Sequence, residues 1–486
     1  MTDPQRTVAI VLAAGAGSRF GPSTHGAGKL QAELAGTPLL EHVLETIDAA
    51  GLAGTIVVVG PDSPGLALIA ARHGAQVVVN PRPADGLSSS VRVGLAALTG
   101  DSMTGNSQPQ PRPEAALSVL GDQPLTELGV IQAVLGAEVL AGRSLVVPRY
   151  SSGGGSNPVL VLAGAWPLAV ALDGDRGFSP LIRARPELVV EVDVRGDNPD
   201  VDTPADLAAL DWGLRVRANR EQAERVRESA PAADFYGSST ALFRADPRRT
   251  DDPVLDALLA HARPDDRWLD VGAGAGRYAL ALALRVREVI ALDPSPAMLA
   301  VLRELALEHH LDHVRTIEAR WPAIDAGEGP GRATLPELGR VDATLIAHVG
   351  YDIEAIGPFI DALEAVVQRE CVAILNEVSP AAPASAFWPA IHGEARAELP
   401  ALPRFLELLR ARGRSPQVTT VERHPRVYPS RSDLQRWVRQ QLFLAEGSSR
   451  DQHLADLLDR ASVEVDGGIR LADQPDGVTG IVSWTP

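Results

Sequence analysis

Two stretches of this chain run from an apolar strand straight into a glycine loop and on into a helix, and that pattern constrains the fold more than any other feature. The first runs from Val8 to Ala14 and enters Gly15-Ala16-Gly17-Ser18-Arg19-Phe20-Gly21. The second is Arg267-Trp268-Leu269-Asp270-Val271, which enters Gly272-Ala273-Gly274-Ala275-Gly276. After each, amphipathic helices alternate with short apolar strands, the pattern of α/β domains with mainly parallel sheets. No repeat of solenoid length interrupts it.

In the first half the pattern predicts strands at 8–13, 55–59, 76–80, 116–120 and 144–147, with helices near 39–50, 88–98 and 127–140. The polar, proline-bearing segment between Thr99 and Glu114 reads as a flexible surface insertion rather than a site. A charged helical stretch from about Ala205 to Glu228 follows Asp200-Val201-Asp202-Thr203-Pro204. In the second half, strands are expected at 267–271, 288–292, 314–317, 343–347 and 372–376. The last two apolar runs, Gly468–Leu471 and Gly477–Trp484, read as a terminal β-hairpin. The domains expected are therefore 1–212, a helical linker at 213–233, and 234–486. At 486 residues, two domains of this size can each bury a core.

Composition narrows the function classes. A formal charge of -17 argues against a broad nucleic-acid surface. The single cysteine, Cys371, allows no internal disulfide and no cysteine metal cluster, and its apolar surroundings read as a buried thiol. Arg6 before Val8–Ala14 has the outline of an export signal, but the apolar run is short and leads directly into glycine and Arg19, as a strand entering a loop would. No stretch approaches the ~18 apolar residues of a membrane span. A cytoplasmic protein without membrane attachment is expected.

Lys29 is the only lysine in the chain; the other 44 cationic residues are arginine. A compact ammonium kept where arginine is the habit points to a site that needs a point charge, such as a phosphate. The first glycine loop admits two readings. A dinucleotide fingerprint would place its last glycine one residue earlier than Gly21. A triphosphate loop accounts for Arg19 and Lys29 as well, because two cations beside a backbone nest neutralise dense negative charge.

The run LAAGAGSRFG followed by GK resembles the sugar-nucleotide and molybdenum-cofactor nucleotidyltransferases, the MobA/MocA-like group. Asn80-Pro81 with Gly86-Leu87-Ser88-Ser89-Ser90-Val91-Arg92 is similar to a motif of its cytidylyltransferase branch, as are Gly121-Asp122-Gln123-Pro124 and Asp200-Val201-Asp202-Thr203-Pro204. The likeness extends to about residue 210. It implies a nucleotide-diphospho-sugar transferase-like fold, with Arg19, Lys29 and Asp122 catalytic. It also implies a nucleotide held by Leu12, Ala13, Ala14, Gly15, Gly17, Asn80, Ser88 and Ser89. The Ala13-Ala14 pair favours CTP over GTP. In-line attack on an α-phosphate suits a magnesium ion held by carboxylates, here Asp122 with Asp202 as its partner and Asp200 less well placed. The two acids before Pro204 equally suit helix capping. Two departures bear on the acceptor: seven residues separate Gly21 from Lys29, and Gly155-Ser156-Asn157-Pro158 stands where the cofactor enzymes tend to read Gly-His-Pro.

In the second half no lysine or hydroxyl pair follows the glycine loop, which argues against a triphosphate. One strand later Asp293-Pro294-Ser295 places an acid where ribose hydroxyls could bond to it, a spacing that suits an adenosine-bearing cofactor; a nicotinamide dehydrogenase is the rival reading. The segment 234–486 resembles class I S-adenosylmethionine-dependent methyltransferases. The resemblance implies S-adenosylmethionine bound by Asp270, Gly272, Gly274, Gly276, Asp293 and Trp321, with Met298 against adenine or in the core. His348 and Tyr351 fall where the transferable methyl group would emerge, and Phe387 to Trp437 reads as a helical acceptor lid.

The expectation is a bifunctional enzyme of two Rossmann-like three-layer α/β domains. One would transfer a nucleotidyl group to a phosphorylated, molybdopterin-type acceptor, and the other a methyl group to a small molecule. Molybdoenzyme maturation proteins are the partners that follow. Two readings of another class stay open: a methyltransferase regulated by a non-catalytic nucleotide-binding half, and a scaffold that uses neither site.

Overall fold

The computed structural model describes residues 2–15, 17–20, 28–99, 112–139, 141–228, 243–322 and 338–486. Most of the expected surface insertion, and Gly21 of the first loop, lie outside these. The chain divides into two compact units, Met1–Leu207 and Ala208–Pro486.

The first unit is built on a seven-stranded sheet. Its order is Gln76–Val79, Gly54–Val59, Thr7–Ala13, Ala115–Leu120, Val159–Leu162, Leu145–Tyr150, Val189–Val194. Thr7–Ala13 is buried at all seven positions because parallel neighbours flank it and helices cover both faces. Its side chains alternate between two cores. Ala9, Val11 and Ala13 meet Leu40, Val43, Leu44 and Ile47 of the helix Leu39–Ala49, while Val8, Ile10 and Leu12 meet Val91, Leu95 and Leu98 of the helix Leu87–Thr99. That helix lies close enough that a Cβ on Gly94 would sit 2.4 Å from Ile10 Cγ2. Two strands escape the sequence pattern: Val159–Leu162 runs antiparallel to its neighbours, and Val189–Val194 forms an edge that carries Glu191 and Asp193 outward to Arg149.

The second unit has another seven-stranded sheet, ordered Val314–Glu318, Glu288–Asp293, Arg267–Val271, Val341–Ala347, Val367–Asn376, Gly477–Trp484, Gln417–Arg423. The first five are parallel; Gly477–Trp484 alone runs against them, and Gln417–Arg423, antiparallel to it, again points their way. Leu269, Val271, Ile290 and Leu292 enter one core, and Trp268, Val289 and Ala291 the other, the period of two again dividing a strand between faces. Trp212 and Val216, on the helix Pro204–Val226, are buried in the first of these cores. The residues expected as a linker are thus, up to Val226, a packed helix of the second unit.

The expected terminal hairpin does not form. Gly468–Leu471 pairs with Ser462–Val465 across Asp466-Gly467, an Asp-Gly pair of the kind that two-residue hairpins use. Gly477–Trp484 instead enters the main sheet between Val367–Asn376 and Gln417–Arg423, where its last six residues are buried. The aromatic segment expected as a lid is only partly helical. Phe387, Trp388 and Ile391 pack with Leu434, Val438, Leu454 and Leu458 in a core of their own. Among the described residues no helix is long and apolar enough to cross a membrane.

Candidate active sites

In the first unit the strand Thr7–Ala13 delivers the chain to Ala14, which is buried, and Gly15, which is exposed. Gly17 turns the loop with φ +58°, and Phe20 N–H closes it on the Gly17 carbonyl at 2.8 Å. A side chain at Gly17 would press on Lys29, its Cβ 3.0 Å from Lys29 Cβ. The glycine is needed both for its backbone angle and for the space it leaves the lysine.

Lys29 is the centre of a charged cluster and its side chain is only 10% exposed. Its ammonium donates to Asp122 Oδ2 at 2.6 Å and to Asp202 Oδ1 at 2.7 Å, and Arg19 Nη2 lies 2.9 Å from Asp202 Oδ2. Burial works against the ammonium, but Asp122 and Asp202 outweigh it and hold its pKa above the ordinary value. The hydrogen bond from Lys29 leads the effects that hold Asp202 below the usual carboxylate range. Asp200 moves the other way, raised first by burial and then by the charge of Asp122. Its carboxylate accepts from Gln123 Nε2 at 2.9 Å.

Backbone bonds hold these acids in place. Gly121 N–H donates to the Leu12 carbonyl and Val201 N–H to the Asp122 carbonyl, each at 3.0 Å. Asp202 does not cap the helix that Pro204 opens. Thr203 does, with Asp206 returning to the Asp202 and Thr203 N–H groups at 3.1 and 2.7 Å, a reciprocal cap. Asp202 is thereby free to face Lys29.

Oxygens of Asp122 and Asp202 converge on one point, where the ammonium now sits. Magnesium is commonly held by one or two carboxylates, with water and phosphate oxygens completing its shell, so this donor pair fits it. The expectation of Lys29 on a phosphate opposite an Asp122-bound metal is altered in one respect: here the lysine bridges the two acids itself.

Three predicted nucleotide contacts serve the loop instead. Asn80 Nδ2 donates to Ser89 Oγ and Ser90 Oγ at 2.7 and 3.0 Å, Ser89 Oγ donates to the Gly86 carbonyl at 2.8 Å, and Ser88 Oγ to the Gly174 carbonyl at 2.7 Å. Their side chains pin the start of the helix Leu87–Thr99. Sequence reasoning missed the cavity beside this cluster, about 490 Å³ in volume. Leu12, Val91 and Phe178 form apolar wall, Gln123 and Asp200 connect it to the acids, and Arg176 and Arg183 stand in its lining. Neither arginine has a carboxylate partner among the described residues, and the buried Ser118 stands in the same lining. Nothing in the local sequence marks these residues, because only the sheet brings 118, 176 and 183 together.

In the second unit Gly272, Gly274 and Gly276 have φ of +76°, +54° and +87°. The loop is closed by Asp293, whose two oxygens accept from Gly274 N–H and Ser295 N–H at 2.8 Å each. A carboxylate has about four acceptor sites, so ribose hydroxyls can still bond to it. Asp270 is buried, its Oδ1 has no partner, and burial, then the charge of Asp293, push its pKa up to about 8. That orphaned oxygen beside the glycine loop, with an acid at the next strand end, fits an adenosine-bearing cofactor. Trp321 is committed elsewhere: its indole N–H donates to the Phe359 carbonyl at 3.3 Å and the ring packs on the core. Met298 is buried. Tyr351 Oη accepts from Asn376 N–H at 2.6 Å, which leaves His348 open to solvent nearby.

Residues 9–189 match the MobA-like NTP transferase domain and residues 269–335 a methyltransferase domain. The chain is 34% identical over 279 residues to the 2-C-methyl-D-erythritol 4-phosphate cytidylyltransferase of Streptomyces coelicolor, a match to 54% of this chain and 88% of that protein. It is 33% identical over 150 residues to the 3-deoxy-manno-octulosonate cytidylyltransferase of Anaeromyxobacter dehalogenans. That match takes in 31% of this chain, which spans about half, 54%, of that relative's length. Among solved structures, the homolog of Mycobacterium tuberculosis Rv0371c from Mycobacterium sp. strain JC1 is 25% identical with a TM-score of 0.35, covering 43% of this chain and 96% of that one.

Proposed function

We propose that this chain, which belongs to the MobA-like NTP transferases in their cytidylyltransferase branch and carries a methyltransferase domain behind that half, transfers a cytidylyl group from CTP to a molybdopterin-type acceptor phosphate. Its second domain transfers a methyl group from S-adenosylmethionine to a small molecule. The observation that carries the first reading is Lys29 held between Asp122 and Asp202 with Arg19 beside them.

In cytidylyl transfer an acceptor phosphate oxygen bonds to the α-phosphorus of CTP as the bond to pyrophosphate breaks. Arg19 and Lys29 can neutralise the charge that gathers on the leaving phosphates. Asp122 and Asp202 would hold magnesium, which when bound supplies Lewis-acid neutralisation of the triphosphate. Without nucleotide the ammonium keeps the two acids from repelling one another. The cavity beside Gln123 and Asp200 is the acceptor site in this reading: its apolar wall takes the body of the acceptor, and Arg176 and Arg183 favour an anion. For methyl transfer the glycine loop and Asp293 hold the cofactor, and the protein's part is to align the acceptor in a water-poor recess. Both reactions are assigned to the cytoplasm, with molybdoenzyme maturation proteins as the partners that would receive the product.

The test is pyrophosphate release from CTP or GTP with magnesium and molybdopterin, run beside 2-C-methyl-D-erythritol 4-phosphate and 3-deoxy-manno-octulosonate, which the relatives' names specify. Release with CTP and molybdopterin is expected. No release with any nucleotide and any pterin acceptor overturns the enzymatic reading of the first domain.

A further inference from the structure

The carboxyl ends of the central strands in the second unit carry charged side chains that the proposed cofactor contacts do not use. His348 follows the strand Val341–Ala347 with φ +58°, a conformation that strains a residue with a Cβ and collects at functional sites. The residue is exposed, and its ring has no hydrogen-bond partner among the described residues. The glycine loop lies directly beside it, since a Cβ on Gly272 would come within 2.3 Å of Val349 Cγ2. This is also where strand order reverses about Arg267–Val271, the position at which open α/β sheets bind ligands.

Positive charge surrounds this point in excess. The Tyr278 ring is 6.3 Å from that of His348, and Arg249 and Arg277 each lie 5.7 Å from the Tyr278 ring. Both arginines pair with the one carboxylate of Asp252, at 2.9 and 2.8 Å, so two cations answer to a single anion. Arg423 ends the strand Gln417–Arg423 opposite Gly477, two residues along from the pairing of Val421 with Thr479. Thr479 in turn bonds Asn376, whose N–H meets Tyr351. Arg423 Nε is buried without a partner, and among the described residues this side chain makes no hydrogen bond or ion pair. Alternation along the strand sends Glu422 to the other face, and Asp476 is taken by His424 at 3.0 Å. Partial desolvation beside the Tyr278 ring, then the fields of Arg277 and Arg423, lower the His348 pKa, so at neutral pH the imidazole adds no third cation. A guanidinium stays charged at any accessible pH, and a partly buried one without a partner is unfavourable until an anion joins it.

We infer that the methyl acceptor of this unit is a small oxyanion, seated over His348 with its negative charge on Arg423 and on the surplus charge of Arg249 and Arg277. The inference rests on the reading that this unit takes S-adenosylmethionine, and it adds the chemical class of the second substrate. Carboxylate and phosphate esters share that chemistry.

The full-length protein saturated with S-adenosylhomocysteine is titrated by calorimetry with benzoate, phenyl phosphate and the neutral benzamide. One or both anions are expected to bind, with benzamide weaker by about tenfold or more, and the tighter anion identifies the source of the charge. Arg423→Gln should weaken the anion by about tenfold while S-adenosylhomocysteine affinity stays unchanged, and Arg423→Lys, which keeps the charge, should retain most of the binding. Neither anion binding, benzamide binding as tightly, or Arg423→Gln leaving anion affinity intact overturns the inference. Failure of S-adenosylhomocysteine itself to bind overturns the cofactor reading instead, and titration of the unloaded chain still decides the role of Arg423.

Discussion

At the scale of single residues, Lys29 carries the most consequence because two carboxylates meet on it. Lys29→Met is expected to abolish pyrophosphate release from CTP while leaving S-adenosylmethionine affinity unchanged. It should also lower stability by about 1–3 kcal/mol, since Asp122 and Asp202 then face each other without the ammonium between them and Arg19 pairs only with Asp202; urea denaturation measures this. Lys29→Arg should restore most of the stability and little of the activity, because a planar fork cannot meet two carboxylates and then a phosphate as a point charge does. Asp270 gives a test of another kind. Its folded pKa of about 8 lies above its ordinary value of 3.8, so the folded chain keeps a proton that the unfolded chain has lost. The associated stability is present in full below about pH 4 and lost as pH rises toward 8. Asp270→Asn should therefore flatten the fall in Tm of the cofactor-free protein between pH 5 and 8, and stabilise it at pH 8 by a few kcal/mol, on the order of 2–4. An unchanged slope in the variant would remove Asp270 from the account.

At the scale of elements, the approach of the helix Leu87–Thr99 to Thr7–Ala13 positions the first glycine loop. Alanine favours a helix over glycine by about 1 kcal/mol, yet Gly94→Ala should destabilise by about 1–3 kcal/mol because its Cβ would strike Ile10 Cγ2. Gly94→Ala combined with Ile10→Ala should cost less than the sum of the two single substitutions, a coupling that a double-mutant cycle in urea would read directly. The elements also show where local pattern stops being informative. Continuous apolar runs such as Val8–Ala13 and Trp268–Val271 announce central strands, and the glycines after them announce the loops. The run Gly477–Trp484 reads just as clearly as a strand, but nothing in it says that its partners are Val367–Asn376 and Gln417–Arg423 rather than Gly468–Leu471. Likewise Ser88, Ser89 and Asn80 match a nucleotide motif, while their hydrogen bonds show them holding the loop that the motif builds.

At the scale of the whole molecule, two compact units each carry their own cores and their own glycine loop. Their chemistries should separate under substitution. Gly274→Val, which forces a branched side chain into φ +54°, should remove S-adenosylmethionine binding measured by calorimetry and leave pyrophosphate release within about twofold of the parent chain. Loss of both activities together would show that the units depend on one another. The sequence by itself determined the two α/β domains, both glycine loops, the acids at the strand ends and the one lysine that matters, because each follows from period, turn chemistry or composition within a few residues. Only the tertiary structure decided that Thr203 and not Asp202 caps its helix, and that Trp321 belongs to the core. The structure alone also assembled Ser118, Arg176 and Arg183 around one cavity and left Arg423 without an anion beside His348. Those facts depend on which distant segments become neighbours in a sheet and on which polar groups burial then leaves without partners, and neither is written in any local pattern.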